Sequence, residues 1–547
     1  MPPEFDYIIV GAGSSGCVLA SRLSEDPSKR VLLLEAGPPD HSLWLHLPIG
    51  YGKTMWSNTY NWRFETAPDP NMNGRRIYWP RGKTLGGSSA INGLIYIRGQ
   101  RQDYDHWAAL GNTGWSYVDV LPYFIKSEGN QRGSSTYHGA SGPLKVSDIS
   151  ATHPLIEAFI QGANELGVPR NEDFNGAEQT GAGYFQLNTF KGWRCSTGTA
   201  FLKPARRRRN LTVQINAIST GLIFDGKRVV GVRYRQDGVA KEARCTTEVL
   251  LAAGAVQSPQ LLQLSGIGPK DLLARHGIPL VHDAPEVGRN LQDHLQIRLG
   301  FECSQPITTN DQLNSWTGKV GIALQWLFKR SGPLAVGINQ GGCFMRALPR
   351  ESDTPDIQFH VSTLSADMAG GKVHPYSGFT LSVCQLRPQS RGHIRIRSAD
   401  PFEAPEITPN YLDAEQDQRT AVAAIRCARA IAASPAMRPF VKREVKPGPA
   451  LNSDANLLEF CRNHGATIFH PVGTCRMGAD ALAVVDPRLR VNGVTGLRVV
   501  DCSVMPTLVS GNTHAAAVML AEKAADMVRE DGDEAFRLLG FTGCSWV

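Results

Sequence analysis

Asp6-Tyr7-Ile8-Ile9-Val10-Gly11-Ala12-Gly13-Ser14-Ser15-Gly16-Cys17-Val18-Leu19 is the stretch that decides the fold of this chain. Tyr7-Ile8-Ile9-Val10 is a short, continuously apolar run, the pattern of a strand buried on both faces in a parallel sheet. The glycines after it form G-x-G-x-x-G, and a helix carrying Val18, Leu19 and Leu23 follows. Gly11 permits the tight turn, Gly13 lets the backbone approach a pyrophosphate, and Gly16 lets helix and strand pack closely. The helix N-terminus then faces the anion. A second apolar run, Val31-Leu32-Leu33-Leu34, completes a βαβ unit. It ends in Glu35, about twenty residues past the last glycine, where an acid bonds a ribose 2′-hydroxyl. An acid there disfavours a 2′-phosphate, which argues against NADP and leaves NAD and FAD.

Working outward, residues 211–252 read as a meander. Residues 211–215, 221–224 and 229–235 are apolar-rich, with Asp225-Gly226 and Asp237-Gly238 as hairpin turns. Val249-Leu250-Leu251-Ala252 reads as a further buried strand running into Gly254, and Leu497-Arg498-Val499-Val500 as another ending in Asp501. A helix over about 515–529 closes the fold, with Ala516, Met519, Leu520 and Ala524 at helical spacing. Residues 300–460 differ in texture, with alternating strands expected at 357–361, 380–384 and 393–397 and a helix near 414–433. The expected class is α/β, a Rossmann-like domain with a parallel sheet joined to a substrate-binding domain with a largely antiparallel sheet and helices. The first is discontinuous, over 1–150, 196–300 and 461–535. The second takes 151–195 and 301–460, and 536–547 form a C-terminal tail, expected to dock on the body.

Composition bounds the function. The 547 residues, 42% hydrophobic and 20% charged, describe a globular chain of two or more domains and exclude a disordered one. No run reaches the ~18 apolar residues of a membrane helix. The 11 cysteines include no Cys-x-x-Cys pair, so neither a zinc site nor a disulfide framework is expected. That usage suits a reducing, cytoplasmic compartment, and no charged leader precedes the first strand. The net charge of +7 is dispersed, and its one cluster, Arg206 to Arg209, reads as a solvated turn rather than a phosphate or nucleic-acid patch. Peripheral contact at the inner face of a membrane stays open. His464 is expected at the surface, and no metal site is expected.

Four further blocks carry the reading to chemistry. They are Pro80-Arg81-Gly82 through Gly86-Gly87-Ser88-Ser89-Ala90-Ile91-Asn92-Gly93, and Gly254-Ala255-Val256-Gln257-Ser258-Pro259, continuing to Ser265-Gly266-Ile267-Gly268-Pro269. With them stand Val287-Gly288-Arg289-Asn290-Leu291-Gln292-Asp293-His294, and His470-Pro471-Val472-Gly473-Thr474 with Asp501 and Gly511-Asn512-Thr513. Over nearly the whole chain the sequence resembles the glucose–methanol–choline (GMC) family of FAD-dependent oxidoreductases, most of all its bacterial alcohol dehydrogenase and choline dehydrogenase branch.

The resemblance implies an FAD-binding domain and an alcohol-oxidising site. Its cofactor contacts would come from Gly11, Gly13, Ser14, Ser15 and Gly16, with Glu35 and Ala36 at the adenosine end. Arg81, Gly86, Gly87, Ser88, Asn92 and Gly93 would lie along the cofactor. Ala217, Ala253, Gly254, Asp501, Cys502 and Thr513 complete the set, with Asp501 on the ribityl chain. Where some relatives attach the flavin through a histidine this chain has Ile91, so FAD is expected to be non-covalent. His470 and Asn512 take the catalytic pair, His470 as base because an imidazole titrates near working pH. Asn512 would hold the substrate oxygen. Ile468 is expected to share the face of His470, His514 is a further pocket candidate, and His294 is expected to serve by structural hydrogen bonding. The implied reaction oxidises a primary alcohol, apolar or aromatic by preference, to the aldehyde. The electron acceptor is a quinone-like carrier or dioxygen. Choline oxidation and a non-redox hydroxynitrile lyase are the alternatives, and monomer or homodimer is left open.

Overall fold

The computed structural model describes residues 4–368 and 370–541, with side chains up to 532. The expected tail, 536–547, lies outside the residues whose side chains are described. Among the described residues no helix is long and apolar enough to cross a membrane.

The βαβ unit forms as the pattern predicts. Glu4–Val10 and Val31–Leu34 pair in parallel, and Ser14–Leu23 forms the helix between them. Val249-Leu250-Leu251 pairs in parallel with Ile8-Ile9-Val10 on one side and with Leu497–Val499 on the other. These strands are buried on both faces, as their unbroken apolar runs require. The strand Val239–Leu251 belongs to two structures. Its first half pairs antiparallel with Arg228–Gln236, its second half enters the parallel core, and the outer hairpin is closed by Ala217–Asp225. The hairpin turns fall at 226–227, one residue past the expected Asp225-Gly226, and at 237–238 as expected.

Two expectations need correction. Leu211–Gln214 is not the first strand of the meander but a parallel edge strand beside Val31–Leu34. The reason is Asn210, whose amide donates to the carbonyls of Ser24, Asp26 and Lys29 and ties the strand start to the preceding βαβ loop. The closing helix is also longer than 515–529 and runs His514–Phe541.

The second sheet is antiparallel throughout, in the order Val441–Lys446, Leu295–Cys303, Gly378–Gln385, Ile357–Ser362, Asn339–Met345, Gly181–Tyr184. Ala466–Thr467 adds to Leu295–Cys303 and carries the chain toward His470. One face of this sheet is apolar. Ile297, Leu299, Phe301, Phe359, Val361 and Leu381 join the core formed with the helices Pro154–Glu165 and Glu415–Ala432. The other face carries Gln296, Arg298, His360 and Ser382, and it looks not into solvent but into a cavity shared with the Rossmann-like sheet. The fold therefore stacks two seven-stranded sheets around one elongated space.

Candidate active site

That cavity encloses about 550 Å³. It begins at Glu35 and Ala36, passes Gly11, Gly13, Ser14 and Ser15, and runs along Gly87, Ser88 and Asn92. Ala217, Ala253, Gly254, Asp501, Cys502 and Thr513 line it too, and it reaches His470 and Asn512. Arg81, Gly93, Ile468 and His514 line it as well.

At the glycine turn the helix Ser14–Leu23 starts without a side-chain cap, so its first N–H groups face the cavity beside Gly13. A methyl group on Gly13 would find no protein atom nearer than 3.9 Å, whereas one on Gly16 would stand 1.8 Å from the Gly11 carbonyl oxygen and one on Gly87 2.6 Å from the Gly13 Cα. Gly16 thus serves packing, while Gly13 borders open space. Gly86, in the left-handed region at φ 89°, turns the chain into that loop. The Glu35 carboxylate accepts from Ala12 N at 2.9 Å and Gly37 N at 2.8 Å, and burial raises its pKa to about 7. The helix start, the bare glycine wall and a carboxylate one strand away together fit an adenosine diphosphate moiety.

Further along, Asn92 Oδ1 accepts from Arg194 at 2.7 Å and from Leu94 N at 3.1 Å, which turns its amide nitrogen toward the cavity. Arg194 is buried with no carboxylate partner among the described residues, and burial pulls its pKa down to about 9. Asp501 accepts from Gly254 N, Ser258 Oγ and Ser503 N, at 2.9, 2.6 and 2.8 Å. Its carboxylate therefore anchors the Gly254–Leu264 helix as well as bordering the cavity. His514 sits at the glycine turn, its Nδ1 3.1 Å from Ser14 Oγ, and burial lowers its pKa to about 4.

A second part of the cavity is organised around His470. Asp293 accepts from the His470 backbone N–H at 2.8 Å and also from the Tyr411 hydroxyl. Arg81 donates to the Phe469 carbonyl at 2.7 Å, which fixes the left-handed Phe469 (φ 74°) that turns His470 inward. Ring orientation follows from a chain of hydrogen bonds. His294 Nε2 lies 3.1 Å from the Leu386 carbonyl oxygen, which can only accept, so that nitrogen carries the proton. Burial holds His294 neutral, with a pKa lowered to about 4, so its Nδ1 is an acceptor. That atom is 3.0 Å from His470 Nδ1, which must then be the donor. His470 Nε2 is left without a proton, as an acceptor. Asn512 Nδ2 faces that atom at 3.3 Å, its own Oδ1 held by Gln358 Nε2 at 3.2 Å. Burial, and then His294, His360 and Arg81, keep the His470 pKa well below the usual imidazole range.

Sequence reasoning missed several of these groups. His360 lines the cavity fully buried, with neither ring nitrogen hydrogen-bonded among the described residues. Asp293, Gln358, Arg194 and Arg298 were likewise not singled out. The signal available was the alternation in 295–303 and 357–362, where every second residue is polar in a segment too apolar to face water on its other side. Of the aromatic residues, Tyr51 and Trp62 also line the cavity. Trp316 is 77% exposed, and Trp326 packs on Trp193 and Arg330.

Known proteins share this arrangement over their full length. An alcohol dehydrogenase [acceptor] of Pseudomonas putida is 45% identical over 544 residues, 98% of each chain. An oxygen-dependent choline dehydrogenase of Escherichia coli K12 is 45% identical over 539 residues, covering 97% of this chain and 96% of that one. Among solved structures, pyridoxine 4-oxidase from Mesorbium loti superposes with a TM-score of 0.87 at 32% identity, covering 96% of this chain and 99% of its own. Residues 5–296 and 388–521 match the two halves of one family, and they hold the glycine turn, the Asp293–His294 pair, His470 and Asn512. The chain belongs to the GMC oxidoreductases.

Proposed function

We propose that this enzyme oxidises a primary alcohol to the aldehyde, with FAD held without a covalent bond and His470 as the general base. The observation that carries the reading is the Leu386–His294–His470 relay, which leaves an unprotonated Nε2 beside the Asn512 amide. FAD, when bound, supplies the hydride acceptor for the alcohol carbon. His470 Nε2 takes the hydroxyl proton, and Asn512 Nδ2 donates to the alcohol oxygen, steadied by Gln358. Thr513 leads into the long closing helix, which starts at His514, and both residues line the cavity, so the helix offers it a positive end.

Ile91, an alkyl side chain on the cavity wall, supports non-covalent attachment. Met55, Trp62, Phe64, Ile338 and Leu364 support a substrate with an apolar or aromatic body. The similarity to an alcohol dehydrogenase [acceptor] supports a carrier as electron acceptor, and the equal identity to an oxygen-dependent choline dehydrogenase supports dioxygen as the second reading.

Anaerobic addition of benzyl alcohol is expected to bleach the yellow chromophore, and acid precipitation to release all of it to the supernatant. An unchanged spectrum with benzyl alcohol, together with release of cyanide from mandelonitrile, would favour a lyase, and a yellow pellet would disprove non-covalent binding. Rapid turnover with a quinone or dye and slow peroxide formation in air are expected for the acceptor.

A further inference from the structure

The polar face of the antiparallel sheet holds a cation that the proton relay does not use. On Leu295–Cys303 the odd residues enter the core, so Gln296 and Arg298 project to the cavity side. In the sheet register Arg298 stands opposite Ser382, and Ser382 opposite His360. Arg298 is thus two strand spacings, about 10 Å along the row, from the strand that brings His360 close to His470. Arg298 makes no ion pair among the described residues, and its Nε is buried without a hydrogen-bond partner. Beside it the Tyr51 hydroxyl accepts from Ile338 N at 3.3 Å, and its proton has no acceptor among the described residues. Both side chains line the cavity.

The charges around this corner do not cancel. Lys446 and Arg194 add positive potential, and the carboxylate that Arg298 feels is Asp367, which is 86% exposed and engaged with His374. A buried guanidinium without a counter-charge is costly, and burial accordingly lowers the pKa of Arg298. Uncommitted donors with a surplus of positive charge, facing one cavity, call for an anionic acceptor, and a planar carboxylate matches a guanidinium fork.

We propose that the alcohol oxidised here bears a carboxylate remote from its hydroxyl, bound by Arg298 and Tyr51 while the hydroxyl lies at His470 and Asn512. The inference rests on the alcohol-oxidation reading and narrows its substrate to a hydroxy acid with an apolar or aromatic body between the two groups. The same corner would repel a cationic alcohol.

The test uses the holoenzyme with 4-(hydroxymethyl)benzoate and its uncharged counterpart, 4-methylbenzyl alcohol. The ratio of kcat/KM, acid over neutral, is expected to exceed about 10 in the parent. In Arg298→Met it should fall by about 10- to 100-fold, and Arg298→Lys should recover part of the loss. Flavin content and thermal unfolding are followed in both variants.

In parallel, 4-methylbenzoate, which has no hydroxyl to oxidise, is titrated through the flavin absorption spectrum. It should bind the parent and lose affinity by a similar factor in Arg298→Met. A ratio near one in the parent, or unmoved by Arg298→Met, overturns the inference, as does methylbenzoate binding that ignores Arg298. If methylbenzoate binds through Arg298 while neither alcohol reduces the flavin, the anion site stands and the alcohol reading falls. Tighter binding of 4-methylphenyl phosphate than of methylbenzoate would overturn the choice of carboxylate.

Discussion

His470 draws its chemistry from two adjacent residues, Asp293 holding its backbone and His294 its ring. Removing the proposed base is expected to slow flavin reduction by ~10²–10⁴-fold in His470→Ala while FAD stays bound. Asn512→Ala should cost less, through lost positioning, and His514→Ala least, because His514 faces Ser14 rather than His470. Anaerobic stopped-flow reduction of the three variants checks the order. Because the His470 pKa lies well below 6.5, the base form prevails at neutral pH. The reduction rate should stay level through neutral pH and fall only on the acid side.

Glu35 gives a second pH dependence of opposite origin. Its pKa stands near 7, and ribose hydroxyls donate to the ionised form. FAD binding to the apoprotein should therefore tighten as pH rises from 6 to 8, by no more than tenfold per unit, and Glu35→Gln should abolish the trend. Equilibrium dialysis against FAD reads both.

At the scale of elements, the glycine turn separates two roles that sequence spacing assigns together. Gly13→Ala adds a methyl into open cavity, so the apoprotein should unfold at nearly the parent temperature yet retain at least tenfold less FAD. Gly16→Ala drives a methyl into the Gly11 carbonyl and should prevent folding to a soluble protein. Thermal unfolding with flavin quantification separates them.

The βαβ unit was legible from sequence because its period, its turn and Glu35 all lie within about thirty residues. His470 and Asn512 were legible only through family likeness, since nothing local marks a histidine as a base. Arg194, His360 and Arg298 were not legible, because each takes its meaning from elements far away in sequence. Leu211–Gln214 was misassigned for the same reason, its neighbour in the sheet being fixed by Asn210 and a loop some 180 residues earlier.

For the molecule as a whole, burial in and behind the cavity keeps several histidines in their neutral form. His294 and His360 have folded pKa values of about 4 and 3, against an ordinary 6.5. A group kept neutral this way contributes stability that is intact above pH 6.5 and lost as pH falls toward the folded value. His360→Gln removes one such group. Its urea midpoint relative to the parent should therefore improve steadily from pH 7 to pH 4, and a constant difference would contradict the assignment.

The closing helix has a consequence in time. Ser15, in the glycine turn, bonds to Ala517, 502 positions later, and Arg22 pairs with the buried Glu522. During synthesis at 5–20 residues per second, about 25 to 100 s pass before that partner exists. Through this interval the anion-binding turn is made but uncovered, and the Val239–Leu251 strand lacks its Leu497–Val499 neighbour. Cofactor capture is thus a late event on the ribosome's schedule, set by the last tenth of the chain to emerge, and the nascent enzyme must be kept from aggregating at that open strand edge until it does.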